Sequence, residues 1–278
     1  MVITILGLLL LGLCIGSFIN ALIYRLHWQG THKKVDGAEK RAYSISSGRS
    51  VCPHCKHRLA AKDLIPFFSW IMLHGRCRYC NKPISGQYPT VELITAFLFA
   101  LSYIFWPYGL SAAENIAAFV IWLVFLSGFI ALFVYDLKYM ILPNRIILPL
   151  AYLAGIGLLT ESLLIGNLDP LVTAFWGILI GGGIFYVLFQ VSDGAWIGGG
   201  DVKLGLLLGA VIGGPWPALL MLFLASLIGT LYSLPLIMSK KVKPRTRIPF
   251  GPFLITAAVL VQFFGMAIID WYQNMYGV

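Results

Sequence analysis

The chain carries seven or eight apolar runs long enough to cross a bilayer, and no other feature restricts its fold so severely. By the roughly 20-residue criterion for a membrane helix they fall at about 1–24, 89–106, 113–135, 143–161, 170–190, 202–214, 217–237 and 249–270. Such runs are too long for the strands of an outer-membrane barrel, so the expected fold is an all-α polytopic membrane protein of about eight transmembrane helices. Only 11% of the residues are charged, against about 25% in a soluble domain. A soluble enzyme, a disordered tail and a disulfide-rich secreted module are thereby excluded. The sixth run is short and glycine-rich, which predicts a tilted segment or one joined to the seventh by a tight turn. The first run has no preceding charge and no small-residue cleavage site, and Arg25 follows it directly. It reads as an anchor and not as a removable signal peptide.

The 20 Lys and Arg residues orient the bundle. Twelve of the 20 lie between Arg25 and Lys82; the others are Lys138, Arg145, Lys203 and the cluster Lys240, Lys241, Lys243, Arg245 and Arg247. With eight spans, all of them fall on one side, while Glu114, Glu161, Asp169 and Asp270 mark the opposite span ends. Because basic loops stay in the cytoplasm, this predicts an external N-terminus. Three regions follow: a first transmembrane helix at 1–24, a cytoplasmic domain at 25–88 and a transmembrane bundle at 89–278. Small-residue pairs at Gly12/Gly16, Gly177/Gly181, Gly205/Gly209 and Gly209/Gly213 predict close helix contacts of structural weight. The absence of a convincing internal repeat argues against a transporter built from inverted halves.

Within the soluble insert, Cys52-Pro-His-Cys55 and Cys77-Arg-Tyr-Cys80 form two C-x-x-C knuckles separated by 21 residues. Each presents two thiolates from one turn, and two such turns complete a tetrahedral zinc site. A reducing compartment favours metal over disulfides, and zinc supplies folding energy that so small and charged an insert lacks. A closed four-thiolate site is structural, having no open coordination position. His54, His57 and His74 read as surface residues, and Cys14 as a small apolar residue of the first span. Basic residues around zinc knuckles also suit nucleic acid. Beside a membrane, topology and anionic headgroups account for them better, so nucleic acid is not an expected partner.

The eleven acidic residues are few enough to consider singly. Asp36, Glu39 and Asp63 lie in the polar insert. Glu92 opens the second span, where an acid is ordinarily favourable electrostatics at a helix N-terminus. Asp136 ends the third span, and Asp201 follows Gly198-Gly199-Gly200 at the start of the sixth. The topology brings both to the cytoplasmic boundary, where ionisable residues are candidates for function, and the glycines let another backbone lie close to Asp201. Two carboxylates brought together cannot easily both ionise, so they share a proton. One then takes a proton from water while the other polarises a scissile carbonyl. The plainer alternative is a pair of helix-end charges neutralised by Lys138 or Lys203. Asp193 shares the loop before Asp201 but lacks the preceding glycines.

At these residues the chain closely resembles the type IV prepilin peptidases, the bifunctional leader peptidase/N-methyltransferases of the GxGD aspartic type. The resemblance runs through Gly16-Ser-Phe-Ile-Asn20, Ile-Tyr-Arg-Leu26, both cysteine knuckles, Phe68-Ser-Trp70 and Tyr88-Pro-Thr-Val-Glu92. It continues through Asp136, Leu142-Pro143, Gly198-Gly-Gly-Asp201-Val-Lys203 and Ile248-Pro-Phe-Gly-Pro252. It implies that Asp136 and Asp201 are the catalytic pair, in a bacterial cytoplasmic (inner) membrane protein. It implies prepilin or pseudopilin substrates, cut after a short basic leader, and methylation of the new N-terminal amine by S-adenosylmethionine. Many relatives have Leu-Pro-Asp where this chain has Leu142-Pro143-Asn144, and a basic residue where Gln87 precedes Tyr-Pro. No strand-linked G-x-G-x-x-G fingerprint appears, so a Rossmann-type cofactor site is not supported and no cofactor-binding residue is named. Two other classes stay open on the residues: a GxGD protease acting within the bilayer on unrelated helices, and a non-catalytic zinc-domain scaffold or transporter.

Overall fold

The computed structural model describes residues 1–32, 43–45, 48–239 and 248–276. Asp36, Glu39, the basic residues Lys33, Lys34, Lys40 and Arg41, and the cluster from Lys240 to Arg247 lie outside the described residues. The described residues are helical and hold no β-strand, only two isolated bridges. Two compact units are present, Met1–Ala131 and Leu132–Val278.

The first unit contains α1 (Val2–Thr31), the short α2 (Phe68–Met72), α3 (Gln87–Ile104) and the first part of α4 (Ala113–Tyr139). Helices α1 and α3 meet backbone to backbone along the expected Gly12/Gly16 pair. A Cβ at Gly12 would stand 2.5 Å from the Ala96 Cα, and one at Gly16 would stand 2.6 Å from the Glu92 Cα. Helix α1 runs past the apolar run because its polar end is anchored. Arg25 donates to the carbonyls of Ile45 (3.0 Å) and Gly48 (3.1 Å), and Trp28 stacks on Tyr43. The Trp122 indole of α4 donates to Ser102 of α3 at 3.0 Å, so its buried N–H is satisfied.

The second unit holds the end of α4, α5 (Asn144–Ile165), α6 (Asp169–Val191), α7 (Gly199–Ile212), α8 (Pro215–Met238) and α9 (Gly251–Tyr276). Helix α7 lies at its centre, with Leu204 and Leu208 fully buried. Helix α6 reaches it through glycines. Gly181 lies over the Gly205 carbonyl, and the backbones of Gly177 and Gly209 touch. Helix α6 passes this contact with a π turn at Leu179–Gly183. Gly213 packs against nothing; with φ +68° it ends α7, and Gly214 (φ +76°) and Pro215 turn the chain into α8. The tight-turn expectation therefore describes this junction, whereas the Gly209/Gly213 pair is not a packing pair.

Six helices among the described residues are long and apolar enough to cross a membrane: α1, α4, α5, α6, α8 and α9. Helix α3 opens with polar residues, and the 14 residues of α7 extend only about 21 Å at 1.5 Å per residue. Large apolar side chains such as Leu163, Leu164, Phe223 and Leu231 point outward, on a scale that water would not tolerate. The chain is a multi-pass membrane protein.

The α6–α7 contact yields a sign test. Alanine is intrinsically better than glycine in a helix by about 1 kcal/mol. A Cβ at Gly209 would nevertheless strike the Gly177 carbonyl. Gly209→Ala is expected to lower stability by about 1–3 kcal/mol in detergent thermal unfolding. Gly155→Ala in α5, where a Cβ meets nothing within 4 Å, should be neutral or stabilising.

Candidate active site and metal centre

Asp136 sits in the last turn of α4, where its carbonyl accepts the Met140 N–H at 2.8 Å. Met140 adopts φ +53°, ending the helix, and Pro143 then leads into α5 in an extended conformation. The Asp136 carboxylate is turned inward, 5% exposed, with the Gly251 backbone N–H as its neighbour, while its Oδ2 makes no hydrogen bond of regular geometry among the described residues. It is aimed at Gly251, the first residue of α9, where a Cβ would come within 2.5 Å of Oδ2. A side chain there would push the carboxylate aside. The preceding Phe250 ring is held edge-on by Phe185 and Phe253.

Asp201 stands three residues after the α7 N-cap, Gly198. Its N–H donates to the Gly198 carbonyl at 3.0 Å, and its carboxylate is a partner of the Gly198 backbone N–H. This is the acidic half of a capping box. The glycines have separate tasks. Gly200 faces the Leu142 side chain, with a Cβ position only 3.2 Å from the Leu142 Cβ, and Gly199 faces Phe189. The close neighbour is thus a side chain from the α4–α5 connection, where the sequence suggested a backbone.

The two carboxylates are near enough to act on one another electrostatically. No lysine neutralises them among the described residues. Lys203 instead donates to Asn144 Oδ1 at 3.1 Å, and Lys138 lies over the Tyr139 ring. The Arg78–Asp63 ion pair belongs to the other unit. The helix-end pairing considered from sequence does not form. Asp193 is exposed in a turn at φ +49°. Sequence reasoning did not single out Gly251. Its signal was a glycine directly before a helix-starting proline, which marks a close approach without saying of what.

The four expected cysteines converge in the first unit: their Sγ atoms all lie within 4.8 Å of one another, with Cys52 and Cys80 at 3.9 Å. Four sulfurs at a Zn–S distance of about 2.3 Å around a tetrahedral ion are mutually about 3.8 Å apart, so the residues fit a divalent metal. Both knuckles are built alike. Cys52 N–H donates to His57 O and Cys77 N–H to Lys82 O, with Lys56 and Asn81 in the left-handed region. The Lys82 backbone N–H draws the Cys80 thiol pKa down. Desolvation and hydrogen bonding with Cys77, Cys55 and Cys52 outweigh it and carry the pKa to about 11. Crowded thiols of this kind ionise when a cation replaces their protons. His54, His57 and His74 are exposed, outside the ligand group.

Asp63 has a specific role that the sequence did not reveal. Desolvation raises its pKa, but hydrogen bonds from Arg78 (2.7 Å), Tyr79 (2.9 Å) and the Ala60 N–H prevail and hold it below the usual carboxylate range. It thereby braces the second knuckle. Glu92 is likewise more than a helix-end charge: buried in α3, its Oε2 accepts the Phe67 N–H at 2.6 Å.

A buried and a half-buried carboxylate within electrostatic reach of one another at helix ends of a membrane bundle are candidates for function. Comparison with known proteins gives the family. The bacterial peptidase A24 N-terminal domain matches residues 10–106 and the type IV leader peptidase family matches residues 121–234. A relative from Aeromonas hydrophila is 35% identical over 95% of this chain and 91% of its own. One from Pseudomonas aeruginosa is 31% identical over 97% and 93%, and one from Bacillus subtilis 34% over 84% and 88%. Each bears the name prepilin leader peptidase/N-methyltransferase. No solved structure gave a significant match. The chain belongs to the type IV leader peptidase family and is an enzyme.

Two outcomes follow from the geometry. Gly251→Ala should displace the Asp136 carboxylate and slow peptide cleavage about 10²-fold, as misplacements of about 1 Å do, with metal content unchanged. Elemental analysis of purified protein should find about one zinc per chain, the stoichiometry of a four-thiolate site, and Cys52→Ser should lose it.

Proposed function

We propose that this chain is a membrane aspartic endopeptidase that removes the basic leader from type IV prepilin-like proteins at the cytoplasmic membrane boundary. It then N-methylates the new N-terminal residue with S-adenosylmethionine. The observation that carries the peptidase reading is the Asp136–Asp201 pair, held at two helix ends and left without a cationic partner among the described residues. The relatives' shared name supports the prepilin substrate and the methylation.

In this reading one carboxylate accepts a proton from water as its oxygen attacks the scissile carbonyl carbon, and the other, protonated, hydrogen-bonds the carbonyl oxygen. The tetrahedral adduct then breaks its C–N bond as the leaving amine takes up a proton. The partnerless Oδ2 of Asp136 is an acceptor suited to a water. A substrate helix lying in the bilayer brings its junction to this boundary with little encounter entropy left to lose.

The finer topology belongs to the same proposal. Counting α3 and α7 with the six longer helices makes eight crossings, with the first at 1–24, a cytoplasmic insert at 25–88 and the peptidase bundle at 89–278. The N-terminus is external and the membrane is the bacterial inner membrane. Zinc at Cys52, Cys55, Cys77 and Cys80 is structural.

The deciding experiment is mass spectrometry of a prepilin N-terminus after incubation with the enzyme, with and without S-adenosylmethionine. Cleavage is expected in both and a 14-dalton methyl increment, about the mass of CH2, only with the donor. Asp136→Asn and Asp201→Asn should each reduce cleavage by about 10³-fold or more. A folded variant that cleaves normally would remove the aspartic mechanism.

A further inference from the structure

The soluble insert carries an apolar face that neither the aspartate pair nor the metal centre uses. Leu64, Ile65, Phe68, Ile71 and Met72 are all exposed, Met72 at 73%. Phe68, Ile71 and Met72 lie on the short helix α2, and Leu64 and Ile65 lead into it through a turn closed by Ser69 N–H to Ile65 O and Ile71 N–H to Phe67 O. A face of this kind on a small domain calls for an occupant.

Two observations identify it. The first is depth. Phe67, at the start of this turn, is bound through its N–H to Glu92 Oε2 at 2.6 Å. Glu92 is five residues into α3, so the tether lies about 8 Å along that helix from its first residue at 1.5 Å per residue. Phe67 adopts φ +61°, a conformation that a bulky residue holds only when its surroundings enforce it. The apolar face is therefore pinned level with the second turn of α3, where that helix changes from polar to apolar sequence. The second observation is charge. Exposed Arg58, Lys62 and Arg76 lie in the same insert, and they suit phosphate headgroups while repelling the basic leader expected of a substrate.

We propose that residues 64–72 are an interfacial wedge: their apolar side chains lie among the upper acyl chains of the bilayer, with the neighbouring basic residues at the anionic phospholipid headgroups. Aromatic and aliphatic residues beside lysine and arginine are the usual composition of such a layer, and each basic residue near an anionic surface adds about 1 kcal/mol. The wedge, with the Phe67–Glu92 hydrogen bond, fixes the height of the metal insert over the membrane. It rests on the membrane character of the chain and not on its prepilin chemistry.

The test uses the full-length protein in phosphatidylglycerol/phosphatidylethanolamine vesicles, with a benzophenone-bearing phenylalanine analogue in place of Phe68. On irradiation, mass spectrometry should find phospholipid acyl adducts at position 68. Adducts only to a second copy of the chain or to added prepilin would overturn the proposal in favour of a protein partner, and absence of any adduct would overturn it in favour of a solvated face. In parallel, Ile65→Gln/Phe68→Gln/Met72→Gln, retaining its zinc, should exchange amides over 64–73 at least ~10-fold faster than the parent in the same vesicles. Equal exchange would also overturn it. If the triple variant loses its zinc, the single replacement at Phe68 still decides.

Discussion

A helix of 14 residues is buried at the centre of a membrane bundle only where its neighbours come to backbone contact, and α7 depends on that contact throughout. Lipid offers no hydrophobic drive for helices to associate, so close packing must do it. Gly177, Gly181, Gly205 and Gly209 supply it by letting carbonyls of α6 and α7 approach where any side chain would intrude. Once α7 is fixed, so is its first turn, and the capping contact of Asp201 with Gly198 follows. Gly200 then rests on Leu142 in the connection that leaves Asp136. The glycine seam and the carboxylate pair are thus one construction, with the seam setting where the pair stands.

The buried acids separate by what their oxygens find. Glu92 is buried and receives a backbone N–H from Phe67, as a carboxylate withdrawn from water requires. Asp136 is buried to a similar degree, yet its Oδ2 has no partner among the described residues, and the residue opposite is a glycine. An unsatisfied buried oxygen is unfavourable by about 1–3 kcal/mol, so a fold serving stability alone would fill that space. In the mechanism proposed above, that position receives the reacting water or carbonyl. Close packing would fill the space beside the Asp136 carboxylate, and Gly251 is where it is left open.

Much of this was legible because membranes simplify sequence. Apolar length marks the helices, and the two C-x-x-C knuckles predicted a cluster that the structure assembles. Asp136 and Asp201 stood out because so few acids lie near the spans. What was not legible involves contacts distant in sequence or conformations without a pattern. Nothing in the chain says that Glu92 meets the Phe67 backbone, since the bond depends on a left-handed aromatic residue. Asp63 looked like an ordinary loop acid until Arg78 and Tyr79 closed on it. Of four glycine pairs, Gly209/Gly213 misled because spacing alone cannot separate a packing glycine from one that ends a helix at φ +68°.

Asn144 shows how a small departure acts through the same framework. It opens α5 and accepts a hydrogen bond from Lys203, two residues beyond Asp201 on α7. An aspartate there would make the same contact as an ion pair, neutralising the lysine and adding a third carboxylate near the pair. The amide keeps the geometric tie between α5 and α7 and leaves the lysine charge intact. An exposed ion pair adds at most about 1 kcal/mol, so little stability depends on the difference. What the amide preserves is therefore geometric: α5 and α7 stay tied beside the turn that carries Asp201.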